Sequence, residues 1–398
     1  MANCVTTGEL EQVLTRLYAW SRVRDYVGYN KHDALTSPLL TATLGWSKWS
    51  RLVAIQGVMR FPLNIRPLLG VRKVPNPKGL ALFAMGLLDR YRATGRRQHL
   101  DEARTIVDRL LNLRSTGNWA GNCWGYQYPW QDLGFFAPSG TPNAVVTCFV
   151  CETLLDVYRI TNEPRYFDAV QSAAAFLTNN LTTLKDTEDE LCVSYMPLPM
   201  TMRVMDVSIL IASVLLQVVV LGGNDSYRHP AQKLLNYVMK QQTGYGAWHY
   251  TDPPEDSPIR HDNYHTGFIL DAIWQIMRAT GDQSLQPAYR HGLEYYAKNL
   301  FNEDGSPRWM SDRDFPHDVH GAAQGILTFS RHTNEYPGLA NRIAQWALHN
   351  LYHPSGRFFY QQGRYFKRRF TLMRWCNGWM ARSLAHLHLH MTQSGRHI

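Results

Sequence analysis

One grammar recurs five times along the chain: an apolar helix, a short turn, a second, amphipathic helix, then a longer aromatic loop. The segments are residues 79–111, 143–177, 206–242, 264–301 and 319–352, and their internal turns, TGRRQ, TNEP, GGNDS, TGDQS and TNEYPG, share one chemistry. Gly or Asn stops one helix, and Asp, Ser or Pro helps start the next. At 398 residues the chain exceeds a usual single core, so it holds either two domains or repeated units sharing one extended core. The repetition selects the second.

The first helix of each pair is apolar around most of its circumference and rich in small residues, as with Gly79, Ala81, Ala84 and Gly86, or Gly321, Ala322, Ala323 and Gly325. Such helices are buried, and small residues let them crowd near an axis. The second helices carry charge on one face (Asp101, Glu102, Arg104, Asp108, Arg109), as an outer layer requires. One helical stretch remains at each end, 8–24 and 371–391. Pairing them makes a sixth unit and closes a ring. An open solenoid, the alternative, would need polar capping repeats at both ends. The expected fold is therefore all-α, an (α/α)6 toroid in one domain over 1–398. Residues 1–75 form an N-terminal helix and lead-in loops, and 76–398 the repeated pairs.

A formal charge of +9 without any Lys/Arg run longer than Lys367-Arg368-Arg369, and without a nucleic-acid motif, argues against a nucleic-acid partner. The longest apolar run, 207–221, is broken by Ser208, Ser213 and Gln217 and falls short of a membrane span. The N-terminus MANCVTTGELEQ shows no secretory pattern, and the cysteines (4, 123, 148, 151, 192, 376) are scattered. Cys148 and Cys151 share a helical face as core thiols, and a cytoplasmic location is expected.

Connections between pairs are long and emerge at one end of the ring, where a site is expected. They contain WAGNCWGYQYPWQD (119–132), Tyr195, Trp248-His-Tyr250, Arg308-Trp309 and Phe358-Phe359-Tyr360. Rings beside carboxylates and amides suit a sugar, whose apolar faces stack while the polar groups take its hydroxyls. The expected substrate contacts are Trp124, Tyr126, Tyr128, Trp130, Asp132, Asn143, Trp248, Arg260, Arg374 and Trp375. Arg203, Arg308, Arg313 and Arg364 join Arg260 and Arg374 at this end. Together they either recognise an anionic group or pair with acids such as Asp206, Asp312 and Asp314.

Two motifs concentrate proton-transfer groups at inner-helix starts, His261-Asp262-Asn263-Tyr264-His265 and His317-Asp318-Val319-His320. Read structurally, the aspartates are helix caps and the histidines satisfy buried polar groups. The recurrence of the motif on successive repeats favours catalysis by Asp262, Tyr264, His265, His317, Asp318 and His320. Asp33 is a weaker third candidate. His261 and His265 have helical zinc spacing without the intervening Glu, and no glycine-rich phosphate loop or Gly-x-Ser-x-Gly elbow occurs, so neither metal nor cofactor is expected.

The runs NPKGLALF (76–83), WGYQYPWQD (124–132), TPN (141–143), DNYHTGF (262–268) and HDVHGAAQ (317–324) resemble bacterial proteins of polysaccharide-biosynthesis clusters, over about 26–379. More distantly the chain looks like α/α-toroid carbohydrate enzymes, including glucuronyl 5-epimerases, N-acylglucosamine 2-epimerases and unsaturated glucuronyl hydrolases. The resemblance implies exopolysaccharide, capsule or lipopolysaccharide work, in association with the synthesis machinery, but carries no catalytic set to particular positions.

Three functions follow as expectations. An epimerase-like enzyme on a uronate or amino sugar would take a proton with His265 or Tyr264, return one from His317 or His320, and neutralise the enolate with Arg260 or Arg374. A glycoside hydrolase or lyase would use Asp132, Asp262 and Asp318, set about 5–5.5 or 6.5–9.5 Å apart. A non-catalytic glycan-binding subunit would need none of these side chains.

Overall fold

The computed structural model describes residues 5–394; Cys4 lies outside them. Each of the five repeats folds as a helix pair. The inner helices are α4 (Pro77–Thr94), α6 (Ala144–Thr161), α8 (Met205–Val220), α10 (Asn263–Thr280), α12 (Val319–Phe329) and α14 (Trp379–Ser394), the last extended at its start by a π-helical turn, Met373–Gly378. They pack in that order, and α14 packs on α4, so the ring is closed. Outside them lie α5 (Arg97–Asn112), α7 (Pro164–Asn179), α9 (Arg228–Lys240), α11 (Gln286–Asn299) and α13 (Leu339–Leu351). The sixth outer helix is α1 (Thr7–Arg22), against α14. The protein is an (α/α)6 toroid, and the open solenoid is excluded.

Burial explains the two layers. Every residue of α8 from Met205 to Val219 is buried, whereas α9 buries only one stripe, Ala231, Leu234, Leu235, Tyr237 and Val238. Each fully buried Leu, Ile or Val contributes about 1.5–3 kcal/mol, so the inner ring carries most of the hydrophobic stabilisation. Left-handed residues end three inner helices as expected: Gly95 (φ 70°), Asn162 (φ 55°) and Gly281 (φ 77°). At the closing seam, a Cβ on Gly86 would sit 2.8 Å from the Ala381 carbonyl oxygen. There Tyr18 of α1 reaches across to donate to the Phe83 carbonyl at 2.9 Å.

The lead-in differs from expectation. It carries two further helices, α2 (Pro38–Leu44) and α3 (Lys48–Arg60), over a small satellite core of Leu35, Leu40, Ile55 and Val58. Ser37 and Ser47 cap them. Strands are confined to short ladders in the loops, such as Gln361–Gln362 between His317–Asp318 and Lys367–Arg368. The short-turn end of the axis is closed by a buried polar network. Asp271 takes Arg331 at 2.6 Å, Gln324 at 2.8 Å and Thr328 at 2.9 Å. Asp89 pairs with Arg382 and accepts from His386 Nδ1 at 2.9 Å. Burial pushes the His386 pKa down to about 3, so that contact is a hydrogen bond from a neutral imidazole.

Candidate active site

The inner helices run parallel, and all six begin at the long-loop end. The second residue of each is Lys78, Val145, Asp206, Tyr264, His320 and, in the π-helical turn, Arg374. Five of these six equivalent positions are polar, and they form the centre of the site. Six helix N-termini also converge there, each favouring negative charge. Side chains hold the caps: Asn76, Asn143, Asp262 and Asp318 each accept a backbone N–H of their helix's first turn.

The floor is aromatic. Phe149, Phe268 and Trp379 come from alternate inner helices and meet with ring centroids 5.5–5.6 Å apart. The Lys78 ammonium lies on them, 3.8 Å from the Phe149 centroid and 4.5 Å from that of Phe268. Burial, together with the Arg374 charge, holds its pKa well below the ordinary lysine value. Lys31 sits 3.8 Å from the Trp375 ring, and burial pushes its pKa down to about 8 against the opposing pull of Asp318. Arg374 lies 5.4 Å from Tyr126 and 5.1 Å from Trp375. Burial works against its charge, but the surrounding phenols of Tyr126, Tyr128 and Tyr195 keep its pKa raised. Its Nε has no hydrogen-bond partner. Three buried basic side chains therefore converge at the ring's axis, with Arg374 the most firmly charged.

Two imidazoles flank Tyr264, their centroids 4.5 Å (His265) and 4.6 Å (His320) from its ring. They are tuned in opposite directions. His265 Nδ1 is 2.8 Å from Asp262 Oδ2, while Asp262 Oδ1 accepts the His265 backbone N–H at 3.0 Å. Burial alone would lower the His265 pKa, but the Asp262 charge and hydrogen bond outweigh it, so the pKa is raised. His320 is 1% exposed and stacked between Tyr264 and Trp379, with neither ring nitrogen partnered. Burial and the charges of Lys78 and Arg374 hold it neutral, well below the ordinary histidine range. Asp206, raised by burial, has one oxygen without a partner. A narrow cleft of ≈ 10 Å³ opens on the Asp206 and His265 side of this centre, lined by Asp206, Tyr250, Asp262 and His265 among others.

The site thus brings together Tyr126, Asp262, Tyr264, His265, Asp318, His320, Arg374 and Trp375. Asp318 is clamped, accepting the His320 backbone N–H at 2.8 Å, Trp375 Nε1 at 2.7 Å and Gln361 Nε2 at 2.6 Å. Asn143 caps α6 with its Nδ2 unpartnered. Trp130 stacks on His32 at 5.3 Å and forms a wall against Tyr126. Asp132 is half-buried on that loop and accepts the Leu133 N–H at 2.7 Å.

Of the other expected residues, Trp248, Arg260 and His261 border the same cleft as Asp206 and His265, and the rest stand elsewhere. His317 is turned outward, with Nδ1 2.8 Å from the Pro307 carbonyl and its ring against Phe315 and Trp346. It precedes the helix, where the chain is a strand and successive side chains point to opposite faces. Trp124 and Trp248 are buried, donating Nε1 to the Leu110 carbonyl at 2.7 Å and the Val238 carbonyl at 2.9 Å. Each indole satisfies a last-turn carbonyl of an outer helix, a structural role repeated in two units. Tyr128 is buried behind Tyr126, stacked at 5.2 Å. Arg260 is exposed on the rim, 3.9 Å from Asp312. His261 is bound to Tyr245 Oη and the Trp248 carbonyl, both at 2.9 Å, away from His265's partner Asp262. Asp33 is a buried clamp: Arg66 at 2.8 Å and the Asn30 N–H at 2.7 Å fix the loop presenting Lys31. Arg203 pairs with Asp252, leaving Asp206 to the site.

Sequence reasoning missed Lys31, Lys78 and Asp206. Lys78 and Asp206 occupy the same helical position as His320; aligning the repeats by their caps would have revealed Lys78, two residues after Asn76, whereas Asp206 follows Val204, which offers no cap signal. Lys31 lies outside the repeat and left no such signal. Among the described residues, no group of three or more His, Cys, Asp or Glu is placed to hold a metal ion.

No protein-family model matches the chain, and no curated protein matches it. Solved structures do. A sugar epimerase from a ruminal bacterium superposes with a TM-score of 0.64 at 11% identity, covering 98% of this chain and 99% of its own. The cellobiose 2-epimerase of Bacillus thermoamylovorans gives 0.60 at 12% identity, covering 80% and 88%. A polysaccharide lyase gives 0.59 at 9% identity, covering 99% of both. At these identities the likeness is one of fold.

Proposed function

We propose that this chain is a carbohydrate-active enzyme that moves a proton at a carbon beside a carbonyl, epimerising an anionic sugar such as a uronate, in the making of a bacterial polysaccharide. One observation carries the reading: two imidazoles of opposite protonation tendency flank Tyr264 beside the buried basic groups of Arg374, Lys31 and Lys78. Neutral His320, with free nitrogens, is suited to accept a proton. His265, whose charged form Asp262 supports, is suited to donate one. This reverses the direction expected from the motifs alone and removes His317 from the mechanism. Arg374 and Lys31 would hold the substrate anion and the developing enolate charge. Epimerases with this ring fold lend support, although a fold hosts several chemistries.

Hydrolysis by paired carboxylates is less well supported. Both oxygens of Asp262 and both of Asp318 are engaged in fixing helix starts, His265, Gln361 or Trp375. The test is solvent deuterium exchange, read by NMR, into a panel of uronic acids and amino sugars. Exchange at one carbon, reduced about 10²–10⁴-fold by His320→Gln, is the expected result. Absence of exchange across the panel would overturn the assignment.

A further inference from the structure

Residues 34–88 contain seven Lys or Arg and not one Asp or Glu. In a chain with 32 acidic residues, this 55-residue stretch contributes no negative charge to the surface it forms. Four of the seven cations, Lys48, Arg60, Arg72 and Lys73, are exposed and have no ion-pair partner among the described residues. The same stretch leaves large apolar side chains in water: Trp46 is 78% exposed, Trp49 67%, Val53 65%, Leu63 70% and Leu68 84%.

These exposures follow one face of α3. Trp49, Val53 and Arg60 recur at helical spacing on its outer side, while Leu52, Ile55 and Val58 on the inner side are buried. Trp46 is held at the helix start, donating Nε1 to the Thr43 carbonyl at 3.0 Å. The helix is thus apolar on two sides, and only one is covered. Past the end of α3 lies a groove of ≈ 310 Å³, lined by Arg24, Lys73, Arg357 and Arg369 among others, without an acidic side chain. Asn64, between the exposed Leu63 and Leu68, lines the same groove, and Arg368 is tied to the Arg60 carbonyl at 3.0 Å. Apolar ridge and cationic groove are therefore contiguous.

We infer that this face docks the protein on an anionic lipid membrane. Tryptophan and leucine at the boundary with lysine and arginine beside them are what a headgroup layer accommodates: the rings enter the interface and the cations meet the phosphates. A second copy of the chain would bring like charges together. A nucleic acid would neutralise the groove but leave the apolar ridge uncovered. No described helix is long and apolar enough to cross a membrane, so the attachment is peripheral. Because Arg51 on α3 donates to Gln131 at 2.9 Å on the loop that walls the active site, docking brings the mouth of the ring beside the lipid headgroups.

The full chain is floated with vesicles of phosphatidylcholine alone and of equal parts phosphatidylcholine and phosphatidylglycerol. Binding to the anionic vesicles only, weakened by added salt, is expected. The surface variant Trp46→Ser/Trp49→Ser, checked for an unchanged melting temperature, should lower partitioning about tenfold or more, and Lys48→Glu/Lys73→Glu should do the same. Failure to float with anionic vesicles overturns the inference. So do unchanged binding by both variants, and light scattering that shows a dimer which Trp46→Ser/Trp49→Ser converts to monomer. Deuterium exchange by the soluble chain is a separate readout, so each proposal stands or falls alone.

Discussion

Replacing Asp262 by Asn isolates the electrostatic part of the pair that tunes His265. Asparagine caps a helix as well as aspartate does, so the bond from the His265 N–H to Oδ1 survives. The amide nitrogen then faces His265 Nδ1 where Oδ2 accepted at 2.8 Å. Nδ1 must accept instead, and the charged imidazole loses its partner. A hydrogen bond to a charged group contributes about 1.5–3 kcal/mol, and this one is largely shielded from water, with the two side chains 20% and 4% exposed. The sign follows from linkage. The His265 pKa in the folded state is raised above its unfolded value, so the contribution is fully present below about pH 6.5 and fades as pH rises through the folded value. At about 2.1 cal/mol/K per residue, the 398-residue chain unfolds with an entropy near 0.8 kcal/mol/K. Asp262→Asn should therefore lower the melting temperature by about 2–4 °C at about pH 5.5 and by much less at about pH 9. Differential scanning calorimetry at the two pH values measures this, and ¹⁵N NMR of the His265 ring should show its pKa falling. An equal loss at both pH values, with the ring titration unmoved, would refute the electrostatic account.

Two further outcomes test the scaffold. Asp271→Asn leaves Arg331 buried without a counter-charge, which costs about 3–5 kcal/mol, and calorimetry should show a drop of about 4–6 °C. The double variant Asp271→Leu/Arg331→Met should recover most of it, because two buried charges vanish together. Gly86→Val places branched atoms against the Ala381 carbonyl at the closing seam and should destabilise by about 1–3 kcal/mol. A neutral result in a chemical-denaturation curve would mean the seam between α1, α4 and α14 is loose.

Much of this protein is written locally. Helical pairs are legible because a helix apolar on most faces is followed each time by one with a single apolar stripe, and because Gly95, Asn162 and Gly281 each stop a helix with the left-handed conformation that few other residues accept. The loop end as the location of the site follows from topology, and Asp262 and Asp318 announce themselves as helix starts. The two lead-in helices escape such a reading, since Ser37 and Ser47 cap them over a core too small to leave a strong apolar pattern.

What no local pattern holds is direction and convergence. His317 and His320 lie three residues apart, yet one faces Trp346 and the other the axis, because a strand becomes a helix between them. Trp124 and Tyr126 read alike as rings of one loop, but only Tyr126 reaches Arg374, while Trp124 turns back to satisfy an outer-helix carbonyl. Lys31, Lys78 and Arg374, drawn from opposite ends of the sequence, become neighbours only when α14 closes on α4. Burial of the His320 ring itself, with Lys78 and Arg374 brought beside it, is what holds that imidazole neutral, and both are properties of the closed ring alone.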